Sequence, residues 1–239
     1  MGHPPDVHHL VQSHLPPWSR AQALADTYFE QVYWLFRGVT KGQLRDEMLP
    51  VLYHRQPPVP GEEYSSPHDL ALLFMIFAMG ALVQPEPSNA EGEHFHQLAR
   101  AALALQPVLE KPSIVTIQTL HLMSIYNAMS GSSDTSMEIT WSLITLASHL
   151  SQTVRFFGSF SFLTCTRGSR GLQIGLRESR VSDLISPNMT SDRDSARWGL
   201  SPKMVQRRRI LFWDLFVADV WQVRILVCQK LISHPLPES

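Results

Sequence analysis

Residues 203–222 read KMVQRRRILFWDLFVADVWQ, a basic cluster running straight into a nearly all-apolar segment. Ile210, Trp213, Phe216, Val217 and Val220 recur at helical spacing, and Leu211, Phe212, Leu215 and Trp221 extend the apolar surface most of the way round. A helix patterned in this way must be covered on several sides. About eight large side chains, at roughly 1.5–3 kcal/mol each when fully buried, supply on the order of 15–25 kcal/mol before chain entropy is subtracted. The stretch predicts a core helix around which the rest of an all-α, multi-helix bundle packs.

Working upstream, Ser113 to Gln152 predicts a helical hairpin. One arm carries Ile114, Ile117, Leu120, Leu122, Ile125 and Met129; the turn is Gly131-Ser132-Ser133-Asp134; the return arm carries Met137, Ile139, Trp141, Ile144, Leu146 and Leu150. A helix from about 90 to 105 precedes it. Before that, Ser66-Pro67-His68-Asp69 combines a capping hydroxyl, a first-turn proline and a carboxylate at the positive end of the dipole, ahead of a charge-free run to Val83. A shorter helix is expected from Lys41 to His54, with Leu44, Met48, Val51 and Leu52 inward, ending at Pro57-Pro58-Val59-Pro60-Gly61. Ala21, Leu24, Ala25, Tyr28, Val32, Leu35 and Phe36 mark the first amphipathic helix, with Ser19 as its cap. The chain divides into a flexible leader (1–17), a first helical part (18–153), an irregular insertion (154–193), a second helical part (194–222) and a tail (223–239).

With 239 residues, 44% of them hydrophobic and 17% charged, the chain can bury a substantial core. Lys and Arg number 20 against 21 Asp and Glu, so no global positive field favours nucleic acid. Two cysteines, Cys165 and Cys228, argue against a disulfide framework. The N-terminus lacks the pattern of a secretory signal, and fourteen uncharged residues from Leu70 to Val83 are too few to cross a bilayer. Asn188-Met189-Thr190 matches a glycosylation acceptor, which without secretion carries no weight.

The order of several pieces carries a resemblance. Trp198-Gly199-Leu200-Ser201-Pro202, then Arg207-Arg208-Arg209 leading into Leu211-Phe212-Trp213-Asp214-Leu215-Phe216 and Asp219, with Leu98-Ala99-Arg100-Ala101-Ala102-Leu103 and the hairpin upstream, resembles the fungal-specific transcription factor domain. This is the helical middle homology region of binuclear zinc cluster regulators. The resemblance implies a nuclear regulatory domain that modulates DNA-templated transcription through protein partners or a small-molecule effector. It implies DNA and zinc binding only through a separate cluster domain. Such a cluster needs six thiolates in two close groups, which two isolated cysteines cannot build. Against the family pattern, residues 154–193 and 223–239 diverge. Each departure begins at a dipeptide whose codons can hold a splice donor (Val154-Arg155, Val181-Ser182, Val223-Arg224), so translated intron sequence and a truncated chain are one expectation there, and a divergent loop with a natural end is the other.

Candidate chemistry is sparse. His3, His8, His9 and His14 in the leader, and His94 and His96 beside Glu91 and Glu93, have metal-ligand chemistry but read better as solvated polar residues. Cys165 beside Arg167 has no nearby base in sequence. No nucleophile elbow, phosphate-binding loop or HExxH is present, and the chain reads as no enzyme. Arg207, Arg208 and Arg209 are candidates for a basic contact or import signal, or for structural ion pairs with carboxylates such as Asp194 or Glu138, which is the stronger reading. Asp214 and Asp219, set in apolar surroundings, need donors from those arginines or from indoles. Trp141, Trp198, Trp213, Phe216 and Trp221, with Phe212, form either an effector pocket or plain core. The competing reading is a helical protein-interaction scaffold unrelated to transcription.

Overall fold

The computed structural model describes residues 4–54, 57, 64–85, 89–110, 112–131, 136–153, 164–168, 171–175 and 200–233, with side chains within 7–151 and 200–220. The fold is all-α. Its helices in chain order are α1 (Pro4–Gln12), α2 (Trp18–Gln31), a π-helical turn (Gln43–Met48) running into α3 (Leu49–Leu52), α4 (Pro67–Leu82), α5 (Asn89–Ala104), α6 (Ile114–Ser130), α7 (Ser136–Thr153) and α8 (Pro202–Ser233).

The centre of the bundle is α4, not the C-terminal segment that the sequence nominated. Every residue from His68 to Ala81 is buried, and α4 packs against α2, α5 and α6. Phe74 and Phe77 meet Phe95 of α5 with ring centroids 6.1 and 5.6 Å apart. The start signals at Ser66 form a capping box: the Ser66 hydroxyl accepts from the Asp69 N–H while the Asp69 carboxylate accepts from the Ser66 N–H. Helix α2 lies so close that a Cβ on Gly80 would sit 2.4 Å from the Leu24 carbonyl oxygen.

The hairpin forms as α6 and α7, packed antiparallel, with the Thr140 hydroxyl donating to the Ser124 carbonyl across the pair. Ser113 caps α6 through a second capping box with Thr116, and Gly131 ends it at φ 58°, the left-handed conformation that glycine adopts without steric cost. Of the apolar residues carried by the two arms, Met129, Met137 and Ile139 near the hairpin tip are exposed.

Three local expectations fail for identifiable reasons. The segment read as a flexible leader contains α1, which lays Val11 into the core. Ser19 does not cap α2; the helix starts at Trp18, with Pro17 in the cap position two residues before Ser19, and the Pro17 carbonyl accepts from the Ala21 N–H. That helix also stops at Gln31, and Val32 and Phe36 reach the core from the turns beyond it, while Leu35 is exposed.

Residues 164–168 and 171–175, inside the stretch read as an irregular insertion, form a two-stranded antiparallel hairpin, β1 with β2. The rest of 154–193, and with it the proposed intron junctions at 154 and 181, lies outside the described residues. Beyond Gln222, where a divergent tail was expected, the backbone continues as α8 to Ser233.

Candidate functional site

Helix α8 begins as α4 does, with Ser-Pro: the Ser201 hydroxyl accepts from the Met204 N–H and Pro202 occupies the first turn. Its inner face is narrow. Val205, Leu211, Phe212 and Leu215 are buried, and the helix rests mainly on α7 with lighter contact to α6. So thin an apolar strip leaves much of the docking to polar groups.

The first is Arg207, one turn into the helix and 5% exposed. Its guanidinium donates to both oxygens of Glu47, at 2.5 and 2.6 Å, and to the Tyr64 hydroxyl at 2.8 Å. Tyr64 in turn donates to Glu47 at 2.5 Å, and the ammonium of Lys203 pairs with the same carboxylate. Burial alone would raise the Glu47 pKa; the hydrogen bonds from Arg207, Lys203 and Tyr64 outweigh it and hold the carboxyl below its ordinary value. Burial pushes the Tyr64 phenol well up. The acidic partner of Arg207 is thus Glu47. Asp194 lies outside the described residues, and Arg208 is half-buried with its pKa lowered by that burial, while Arg209 is exposed.

The second polar contact is Asp214. The carboxylate faces the backbone N–H groups of Arg37 and Gly38, which oppose the rise in its pKa, and Oδ2 is buried with no hydrogen-bond partner among the described residues. Burial raises its pKa to about 6 against those backbone bonds. The side chain of Asp219 lies outside the described residues.

Both contacts lead into one interior polar junction. Glu47 and Gln43 lie one turn apart in the π-helical segment, and the Gln43 amide exchanges hydrogen bonds with Gln118 of α6 at 2.9 and 3.1 Å. Gln118 also donates to the Gly38 carbonyl at 2.5 Å. Residues 36–38 therefore touch α6 through Gln118 and α8 through Asp214, and Phe36 packs edge-on against His121 of α6, centroids 4.6 Å apart. Burial pushes the His121 imidazole down to about 3, and its Nδ1 is buried without a partner among the described residues.

The π turn has a cause in the sequence. Pro50 has no N–H to bond the Asp46 carbonyl, and its ring crowds that carbonyl in a regular α-helix. A wider turn relieves the clash, and the Leu49 N–H accordingly bonds back five residues to the Leu44 carbonyl.

The aromatic candidates do not converge in the described structure. Trp213 is 61% exposed and contacts Phe216 and Phe212 on its own helix, at 5.9 and 5.4 Å; Phe216 and Trp141 are half-buried. Trp198 and the side chain of Trp221 lie outside the described residues. His96 is buried on Tyr126, rings 4.6 Å apart, rather than solvated, and its pKa is lowered mainly by that burial. Glu91 is taken by Arg20. Among the described residues no group of three or more His, Cys, Asp or Glu could hold a metal ion, and no helix is long and apolar enough to cross a membrane. Glu47, Tyr64, Gln43 and Gln118 were missed by sequence reasoning. Glu47 was detectable, since it falls on the inward stripe of Leu44, Met48 and Val51 where an acid needs a buried partner.

Compared with known families, residues 26–226, from within α2 into α8, match the fungal specific transcription factor domain. No curated protein and no solved structure matches the chain.

Proposed function

Since the chain belongs to the fungal specific transcription factor domain family, with the role in transcription regulation that this carries, and is not an enzyme, we propose that it acts as the regulatory domain of a nuclear transcription factor whose output depends on how α8 is seated. The observation that supports this reading is the attachment of α8 by Arg207 to Glu47 and by Asp214 to the Arg37 and Gly38 amides, over a thin apolar strip. Polar contacts of this kind can be exchanged for contacts with another molecule. A partner protein or small-molecule effector that binds the seated and unseated helix unequally shifts their populations, and one that binds both equally shifts nothing.

DNA reading, in this proposal, belongs to a zinc cluster outside these 239 residues. Cys165 and Cys228 do not fit a six-thiolate site, so no step is assigned to zinc here. Arg207 serves the fold through Glu47.

The test tethers the chain to an unrelated DNA-binding domain upstream of a reporter in a fungal host. The expected result is output that departs from the DNA-binding domain alone and changes again with Arg207→Met, at equal protein level. Output identical to the bare DNA-binding domain in both cases would refute the regulatory reading.

A further inference from the structure

Helix α8 is anchored twice, by Arg207 and by Asp214, which lie two turns or about 10 Å apart along its axis. The two anchors are joined through the interior as well as along the helix. From Arg207 the path runs to Glu47, at 2.5 and 2.6 Å, and along one turn of the π-helical segment to Gln43. The Gln43 and Gln118 amides exchange two hydrogen bonds, and the Gln118 amide nitrogen also donates to the Gly38 carbonyl. The Gly38 N–H faces the Asp214 carboxylate, and the path returns to α8. Contact at that end is close, since a Cβ on Gly38 would lie 3.2 Å from Leu211 Cδ1, one turn before Asp214.

The middle of this loop is its driest part. Gln43 and Gln118 are 1% and 0% exposed, whereas Lys203 beside one anchor is exposed and Asp214 at the other is half-buried. An interior amide that loses its partner finds no water and keeps the full cost of desolvation, so a loop open at one link is the unfavourable state. We propose that the loop is a latch that makes the seating of α8 all-or-none and conditional on Gln118 of α6. Among the described residues Gln118 makes its hydrogen bonds to Gly38 and Gln43 and none to α8. A partner that pulls one anchor away therefore releases the other, and one that shifts α6 loosens α8 from a distance, through groups that are either paired or not. The inference rests on the reading that output depends on how α8 is seated, but its test needs no transcriptional readout. A silent reporter would leave the latch standing, and an uncoupled loop would leave the reporter result standing.

The test is hydrogen exchange of the amides at 205–215, read by NMR in the full chain. Gln118→Met keeps the length of the side chain and removes its amide; exchange in α8 is expected to quicken about tenfold, although the variant touches no hydrogen bond of that helix. Gln43→Met opens the same loop at the neighbouring group and should act alike, and it serves if Gln118→Met does not fold. Thr140→Val is the control, removing a buried hydroxyl that donates to Ser124 in the same hairpin but outside the loop. It should leave exchange in α8 within about twofold of the parent. Unchanged α8 exchange in Gln118→Met overturns the proposal. So does an α8 that responds equally to Thr140→Val, because the helix would then open only with the whole domain. Loss of fold in both glutamine variants overturns it as well, since the loop would then hold the entire bundle rather than α8.

Discussion

Replacing Arg207 by methionine keeps most of the aliphatic stem and removes the guanidinium, so packing is nearly preserved while Glu47 loses the partner that engages both its oxygens. Removing one member of a buried ion pair costs about 3–5 kcal/mol, largely because the other is left charged and desolvated. Here Lys203 and Tyr64 still face Glu47, so the loss falls below that range, to about 2–3 kcal/mol. For a chain of this length each kcal/mol moves the melting point by about 2–4 °C, giving a drop of roughly 5–10 °C. The decisive measurement is a double-mutant cycle of R207M, E47Q and the pair, read by urea unfolding at pH 7. A coupling energy of about 2 kcal/mol is expected, the double variant being milder than the sum of the singles. Hydrogen exchange should show α8 losing protection before α4. Coupling under about 0.5 kcal/mol would refute the reasoning, because it would mean that the apolar strip alone seats the helix.

Gly80→Ala places a Cβ against the Leu24 backbone oxygen, forces α2 away from α4, and should cost about 3 kcal/mol in urea unfolding, several times the effect at Gly92, where the nearest atom is 3.3 Å away. His121 stays neutral when folded, down to about pH 3, but gains a proton in the unfolded chain below its ordinary 6.5. Its contribution is therefore intact above pH 6.5 and lost as pH falls, at up to about 1.4 kcal/mol per pH unit, and urea midpoints of His121→Leu should slope less between pH 6 and 4. Asp214 has the opposite sign: its folded pKa of about 6 exceeds the ordinary 3.8, so the folded chain binds the extra proton and stability falls as pH rises through that window. Asp214→Asn keeps a carbonyl for the Arg37 and Gly38 amides and should be neutral or about 1 kcal/mol stabilising at pH 7, as read from thermal melts.

What could be read from residue order was whatever depends on neighbours in sequence. The Ser66-Pro67-Asp69 start, the Gly131 end and the two helical arms of the hairpin are local chemistry, and all formed. Which apolar helix lies innermost depends on charge as well as on hydrophobicity, and there the sequence had a usable clue. Leu70 to Val83 contains no charge, whereas 203–222 carries Lys203, three arginines, Asp214 and Asp219. Each of those needs water or a partner, so α4 takes the centre and α8 the side. The junction at Gln43, Glu47, Gln118 and Arg207 joins positions up to 160 residues apart, and no local pattern names such partners. Pro50 was a missed clue of a different kind. It announced an irregular turn within a helical pattern, and that turn is what aims Gln43 and Glu47 at two different helices.

The π turn also acts as a phase shifter along the chain. Relaxing Gln43–Met48 to regular α-helix with no residue deleted would rotate the stretches of chain on its two sides by about 100°, one residue's worth of turn. Gln43 and Glu47 could then no longer address α6 and α8 at once, although no contact residue had been lost. The angular offset stored in six residues is thus a dial on which the relative setting of the two ends of the bundle is inscribed.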